Sequence, residues 1–150
     1  MISLICEKYD ITNYTINPDG SIDVNGDVDL YNKGFVELPL IFNKVTGCFD
    51  CGYNNLTTLE GCPRWVGGFF YCSRNRLSSL EFSPDYVGGD FYCKYNKLTD
   101  NYCDTEIGGG FHTTLKQDGL IINNNNIATN YNEWRKLYKR KLILNDIFNM

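Results

Sequence analysis

A chain of 150 residues is long enough to bury one continuous core and too short for two ordinary domains. Its 43% hydrophobic, 21% charged composition excludes a disordered segment, and a formal net charge of -4 excludes a surface that holds a phosphate backbone by general attraction. The charge is uneven: residues 131–150 carry Arg135, Lys136, Lys139, Arg140 and Lys141 against Glu133 and Asp146, a net of +3 that leaves -7 for residues 1–130.

At the start, MISLICEKYD meets a charge at Glu7, too early for a signal-peptide core, and no apolar run reaches the length of a membrane span. A cytoplasmic protein with reduced thiols is therefore expected, the seven cysteines being odd in number. Ile2, Ile5, Cys6 and Tyr9 recur at i, i+3, i+4 and i+7, which predicts a short helix with one apolar face. Tyr14–Ile16 and Ile22–Val24 flank Asn17-Pro18-Asp19-Gly20 and predict a hairpin about that turn. Residues 1–26 thus read as a cap.

From residue 27 to 128 the chain repeats itself. Aligning Asn54, Asn75 and Asn96 places Phe49, Phe70 and Phe91 in one column, Cys51, Cys72 and Cys93 in a second, and Leu56, Leu77 and Leu98 in a third, all at a period of 21. Leu59 and Leu80, Pro63 and Pro84, Val66 and Val87, and the pairs Gly67-Gly68 and Gly88-Gly89 keep that register. Val28, Leu30, Phe35, Leu38 and Val45 make an earlier, worn unit, and Ile107-Gly108-Gly109 with Phe111 comes 20 residues after its counterpart. Leu120, Ile122, Asn125 and Ile127 repeat the spacing of Phe91, Cys93, Asn96 and Leu98 and predict a last unit, about five in all. A fixed period in this range marks stacked units, each too small to bury its own apolar face.

Within a unit, Phe-x-Cys alternates as a strand does, so the strands should stack in parallel. The following Asn falls inside a bend, where its amide can satisfy backbone groups left unpaired. The Gly-Gly pair suits a tight corner through its tolerance of positive φ, and the Pro an extended return. Phe82 in place of a Gly61 counterpart, and Asn101 in place of a Leu, predict an irregular third unit. In residues 129–150, Asn132 is placed to cap a helix whose Trp134, Leu137 and Tyr138 face inward and whose basic side chains face water.

The run F-x-C-x-x-N-x-L at Phe49–Leu56, Phe70–Leu77 and Phe91–Leu98 resembles the heart of the leucine-rich repeat. With Leu56-Thr-Thr-Leu59-Glu60-Gly61-Cys62-Pro63-Arg64-Trp65-Val66-Gly67-Gly68 it resembles the repeats of bacterial effector proteins and, more closely, those of small phage-encoded repeat proteins. The resemblance covers roughly residues 10–128 and implies a mainly β, leucine-rich-repeat-like solenoid of short parallel strands, capped by short N- and C-terminal α-helices in one domain. It also implies a phage accessory protein acting on a host protein of defence or regulation, in the host cytoplasm.

Chemistry-bearing motifs are sparse. Cys48-Phe-Asp-Cys51 has the spacing of half a zinc site without a second pair, and Cys51, Cys72 and Cys93 fit an inward column instead. Asp19, Asp23, Asn25, Asp27 and Asp29 form an acidic series, but Gly26 does not fall where a calcium loop needs it. His112 is the only histidine and has no nucleophile motif beside it, so neither catalysis nor a metal or cofactor is expected.

The exposed positions of the repeated strand remain: Asp29 and Tyr31; Asp50, Gly52 and Tyr53; Tyr71, Ser73 and Arg74; Tyr92, Lys94 and Tyr95. Tyr and Arg anchor interfaces, so these positions are expected to bind another protein. The alternative is a structural or virion-associated piece that self-associates through strand edges or the basic tail, and a third is an enzyme of undetermined class. A membrane or nucleic-acid partner is not expected.

Overall fold

The Phe-x-Cys segments form strands, but they make only half of the sheet structure. The structure, a computed structural model describing all 150 residues, begins with helix α1 (Ile2–Lys8) and strands β1 (Tyr14–Ile16), β2 (Ile22–Val24) and β3 (Val28–Asp29). It continues through β4 (Phe42–Val45), β5 (Phe49–Asp50), β6 (Trp65–Val66), β7 (Phe70–Tyr71), β8 (Tyr86–Val87), β9 (Phe91–Tyr92), β10 (Glu106–Ile107), β11 (Phe111–His112) and β12 (Ile127–Ala128) to helix α2 (Tyr131–Phe148). One sheet has the order β1-β2-β4-β6-β8-β10 and the other β12-β11-β9-β7-β5-β3. Neighbours from β2 to β10 and from β3 to β11 are parallel, so the chain winds as a solenoid of about four turns with a 21-residue period.

The second strand of each turn lies in the segment read from sequence as an extended return after proline. Val45, Val66, Val87 and Ile107 point from the first sheet into the core, and Val28, Phe49, Phe70, Phe91 and Phe111 meet them from the second, all fully or almost fully buried. Stacking sets each phenylalanine on the next, with ring centroids 6.0 Å apart for Phe49–Phe70, 5.0 Å for Phe70–Phe91 and 5.4 Å for Phe91–Phe111. Cys51, Cys72 and Cys93 continue the inward face, each thiol donating at 3.3 Å to a carbonyl one turn on, those of Tyr71, Tyr92 and His112. A thiol therefore both fills the column and pairs within it, and burial pushes all three thiol pKa values up.

The Asn residues behave as expected. The Asn75 Nδ2 donates to the carbonyls of Cys51 (3.0 Å) and Cys72 (3.2 Å), and its Oδ1 accepts the Leu56 amide at 2.9 Å. Asn54 and Asn96 repeat the pattern one turn to either side.

The Gly-Gly corner is correct in place but not in cause. Neither glycine of a pair has positive φ; instead a Cβ at Gly67 would lie 2.3 Å from the Thr46 carbonyl oxygen, and one at Gly88 2.3 Å from that of Gly67. Close approach of successive turns excludes a side chain there. The left-handed residues are elsewhere, at Asn32, Tyr53, Arg74 and Tyr95, again 21 apart. Phe82 is left-handed too, at φ +66, matching Gly61 at +92. Asn101 is fully buried, donating to the Leu115 carbonyl at 2.7 Å and accepting the Thr113 hydroxyl at 2.6 Å, a polar pair where a regular turn has Leu.

Both ends are closed. At the start, α1 buries Cys6, while β1 pairs with β2 in the register Tyr14↔Val24 and Ile16↔Ile22 about the expected turn. At the far end, Leu120–Ile127 does not make a further parallel turn: β12 runs antiparallel to β11, and Ile122 bridges Ala128. That segment folds back because β11 is the last strand of its sheet and needs a partner.

Asn132 does not cap α2. It lies within the helix, and its side chain accepts the Ile107 amide (3.1 Å) and donates to the Ile107 carbonyl (2.7 Å), occupying the edge of β10 as a further strand would. Trp134 is buried and Tyr138 partly so, but Leu137 faces solvent, because Trp134 and Tyr138, four residues apart, form the inward stripe and Leu137 falls to its side.

Candidate protein-binding face

Parallel register places residues of equal position above one another. On the outer side of the second sheet this aligns Asp29, Asp50, Tyr71, Tyr92 and His112 in one row across β3, β5, β7, β9 and β11. The Tyr71 and Tyr92 rings stack at 4.7 Å and 16°, and Tyr92 on His112 at 4.0 Å and 17°. His112 ends the row as a buried residue, its Nε2 2.9 Å from the Asp90 carboxylate. Burial alone would raise the Asp90 pKa, but the Gly110 amide at 2.8 Å and His112 outweigh it and hold the carboxyl below its ordinary value. Asp50 moves the other way: burial raises its pKa, the Gly52 amide opposes, and the charge of Asp29 adds to the rise.

A second row follows at the bend. Tyr31 and Tyr53 lie 5.7 Å apart, and the Arg74 guanidinium sits 5.8 Å from the Tyr53 ring and 4.4 Å from the Tyr95 ring. Arg74 is thus held between two tyrosines, one of which, Tyr53, also meets Tyr31. Tyr31, Tyr53 and Tyr95 are 49%, 48% and 54% exposed, high values for rings already in contact with neighbours.

Of the eleven positions singled out in the sequence, eight therefore belong to these two rows. Ser73 and Lys94 sit beside them and are engaged internally, the Ser73 hydroxyl by the Lys94 amide and the Lys94 ammonium by the Asn125 carbonyl at 2.7 Å. Gly52, named with them, is buried.

Two features escaped the sequence reading. Phe69, 40% exposed, meets Tyr71 and Tyr92 edge-on at 6.0 and 6.4 Å and extends the aromatic surface. On the first sheet, Lys44, Trp65, Tyr86 and Glu106 align outward; Trp65 and Tyr86 stack at 5.5 Å, with the Lys44 ammonium 4.8 Å from the Trp65 ring. The signal was present, since each of these residues immediately precedes an inward Val or Ile. The acidic series is absorbed into corners: the Asp27 carboxylate accepts the Cys48 amide at 2.7 Å, that of Asp29 the Tyr31 amide at 2.9 Å, and Asp23 the Asn43 side-chain amide at 2.7 Å.

The arrangement is a rigid, half-exposed aromatic surface, acidic at its first turns and carrying Arg74 further along. It can offer ring faces, phenolic hydroxyls and two carboxylates with no cation within 4.0 Å, Asp29 and Asp50, to a ligand. No family model, no curated protein and no solved structure matches the chain. No helix is long and apolar enough to cross a membrane.

Proposed function

We propose that this is a non-enzymatic binding module that engages another protein through the tyrosine-rich outer face of the second sheet. The observation that carries the reading is the pair of aligned rows. Tyr71 with Tyr92, and Tyr31 with Tyr53, hold their rings against one another, and Tyr95 holds its ring against Arg74, before any partner arrives, so little side-chain freedom remains to be lost on binding. Amphipathic rings fixed in this way, beside an arginine, are the groups that anchor protein interfaces. The repeat phrase of residues 56–68, similar to that of phage-encoded repeat proteins, supports a phage accessory protein whose partner is a protein of the bacterial host, met in the cytoplasm and concerned with defence or regulation.

The test is affinity capture from bacterial lysate in parallel with a Tyr53→Ala/Tyr71→Ala/Tyr92→Ala/Tyr95→Ala variant whose fold is verified by circular dichroism. The expected result is one or more proteins retained by the intact chain and lost by the variant. Equal retention by both would refute the strand face as the site.

A further inference from the structure

The last part of α2 has nothing to lie on. Tyr131 and Trp134 are buried, Arg135 pairs with Glu106, and Lys139 reaches Asp104 at 3.0 Å; from Lys139 to Met150 every side chain is exposed. At 1.5 Å per residue that overhang is roughly 18 Å long. It is not a polar helix: Leu144, Ile147 and Phe148 fall with Leu137 within about a third of the helix circumference, at 50% exposure or more, with Arg140 and Lys141 among them. Neither basic side chain has a carboxylate within 4.0 Å.

The same chain carries the complement. On the irregular side of the third unit, Phe82 and Tyr102 line a cleft of about 460 Å³ whose other walls include Glu81, Asp100 and Asp104, with its one cation, Arg64, already paired to Asp85 at 2.8 Å. Lys139 already answers Asp104, whereas Glu81 and Asp100 have no cation within 4.0 Å. The overhang thus leaves the body at the rim of an apolar-floored acidic cleft without entering it.

We propose that the overhang of α2 docks into this cleft on a second copy of the chain, reciprocally, forming a two-fold dimer. Charge selects the occupant. Residues 1–130 carry -7 and residues 131–150 +3, so the tail is drawn to the body of another copy, while that body is repelled by an anionic lipid surface or a nucleic acid. Geometry selects the symmetry. Lys139 places the root of the overhang at Asp104 on the cleft wall, so helix and cleft lie side by side on each copy, and a contact made twice about a two-fold axis closes. Arg140 and Lys141 then face Glu81 and Asp100 of the second copy, and Leu144 and Phe148 cover its Phe82 and Tyr102. This inference is independent of the tyrosine face, none of whose residues lines the cleft.

Sedimentation equilibrium of the full chain over a concentration series tests it, together with two charge-reversed variants: Arg140→Glu/Lys141→Glu and Glu81→Lys/Asp100→Lys. All four positions lie on the surface or the cleft wall, and circular dichroism checks each fold. The intact chain should approach twice 17.2 kDa, less readily as salt rises, and each variant alone should dimerise roughly a hundredfold more weakly. An equimolar mixture of the two variants should regain the dimer, since each then offers the other a complementary helix or cleft. A monomer at every concentration, a dimer indifferent to both reversals, or a mixture that fails to associate would each overturn the proposal. So would recovery of a monomeric chain on phosphatidylglycerol vesicles, which would give the overhang to a lipid surface.

Discussion

Replacing Asn75 by Ala removes one side chain and, with it, three hydrogen bonds in a site only 7% exposed. The carbonyls of Cys51 and Cys72 and the amide of Leu56 lose their side-chain partner where water cannot replace it. At about 1 kcal/mol net for each bond the loss is about 3 kcal/mol. That is a large share of the ~5–15 kcal/mol that holds an ordinary domain together, and in a chain of this length corresponds to a Tm lower by roughly 6–12 °C. Urea unfolding followed by circular dichroism measures it, with an unchanged m-value confirming that the denatured state is not what moved. Asn55→Ala is the control, a half-buried neighbour whose side chain makes no hydrogen bond. The three ladder positions should also rank: Asn54, which makes five side-chain bonds, should cost most, and Asn96, the least buried, least. An Asn75→Ala loss no larger than that of the control would refute the claim that the amides hold successive turns together.

Cys48, at a corner and only half-buried, should be the first thiol modified by iodoacetamide in the native protein, with Cys51, Cys62, Cys72 and Cys93 protected until unfolding; mass spectrometry of the labelled peptides decides this. Gly88→Ala should cost about 2–3 kcal/mol in the same urea assay, because its Cβ would meet backbone and not a movable side chain. For Asp90 the folded carboxyl lies below the ordinary 3.8, so its contribution is present above that pH and lost as the pH falls through the window beneath it. Asp90→Asn should therefore lower stability at neutral pH and flatten the acid limb of a Tm-against-pH curve. Asp50 has the opposite sign: its raised carboxyl opposes folding when ionised, so Asp50→Asn should raise Tm at pH 7 and lose that advantage below about pH 3.8.

Why the inward half of this molecule was legible and the outward half less so follows from the period. An inward residue answers to a column of identical neighbours, so Phe49, Phe70 and Phe91, or Cys51, Cys72 and Cys93, must repeat in kind, and repetition is visible in one sequence. An outward residue needs only to tolerate its neighbours. Lys44, Trp65, Tyr86 and Glu106 share a column but no residue type, which hid the first sheet as an extended return. The fifth unit failed for a related reason: Leu120, Ile122 and Ile127 keep the spacing of a strand pair, but spacing does not encode direction, and direction is set by what β11 lacked. Asn132 was misread because a residue near a helix start has two edges to serve, its own helix and the sheet beneath. Here the open edge of β10 took it.

The ends of the solenoid bear on how it can meet other molecules. An uncovered parallel edge would invite strand addition, and each end deals with this differently. In the first sheet, β1 folds back on β2 at one end and Asn132 occupies β10 at the other. In the second sheet, β12 turns antiparallel onto β11, and the opposite edge, β3, is the two-residue strand Val28–Asp29 preceded by Asp27, and the two charges deter a second chain. Strand stacking is thus opposed at β10, which Asn132 occupies, and at β3, which is short and acidic. What the fold leaves available is lateral: the aligned aromatic rows, and the overhang of α2 with the cleft at its root. The first is built from the repeats, and the second arises where Phe82 and Asn101 break them. A regular solenoid supplies a binding face by repetition, and this chain has its second surface where the repetition fails.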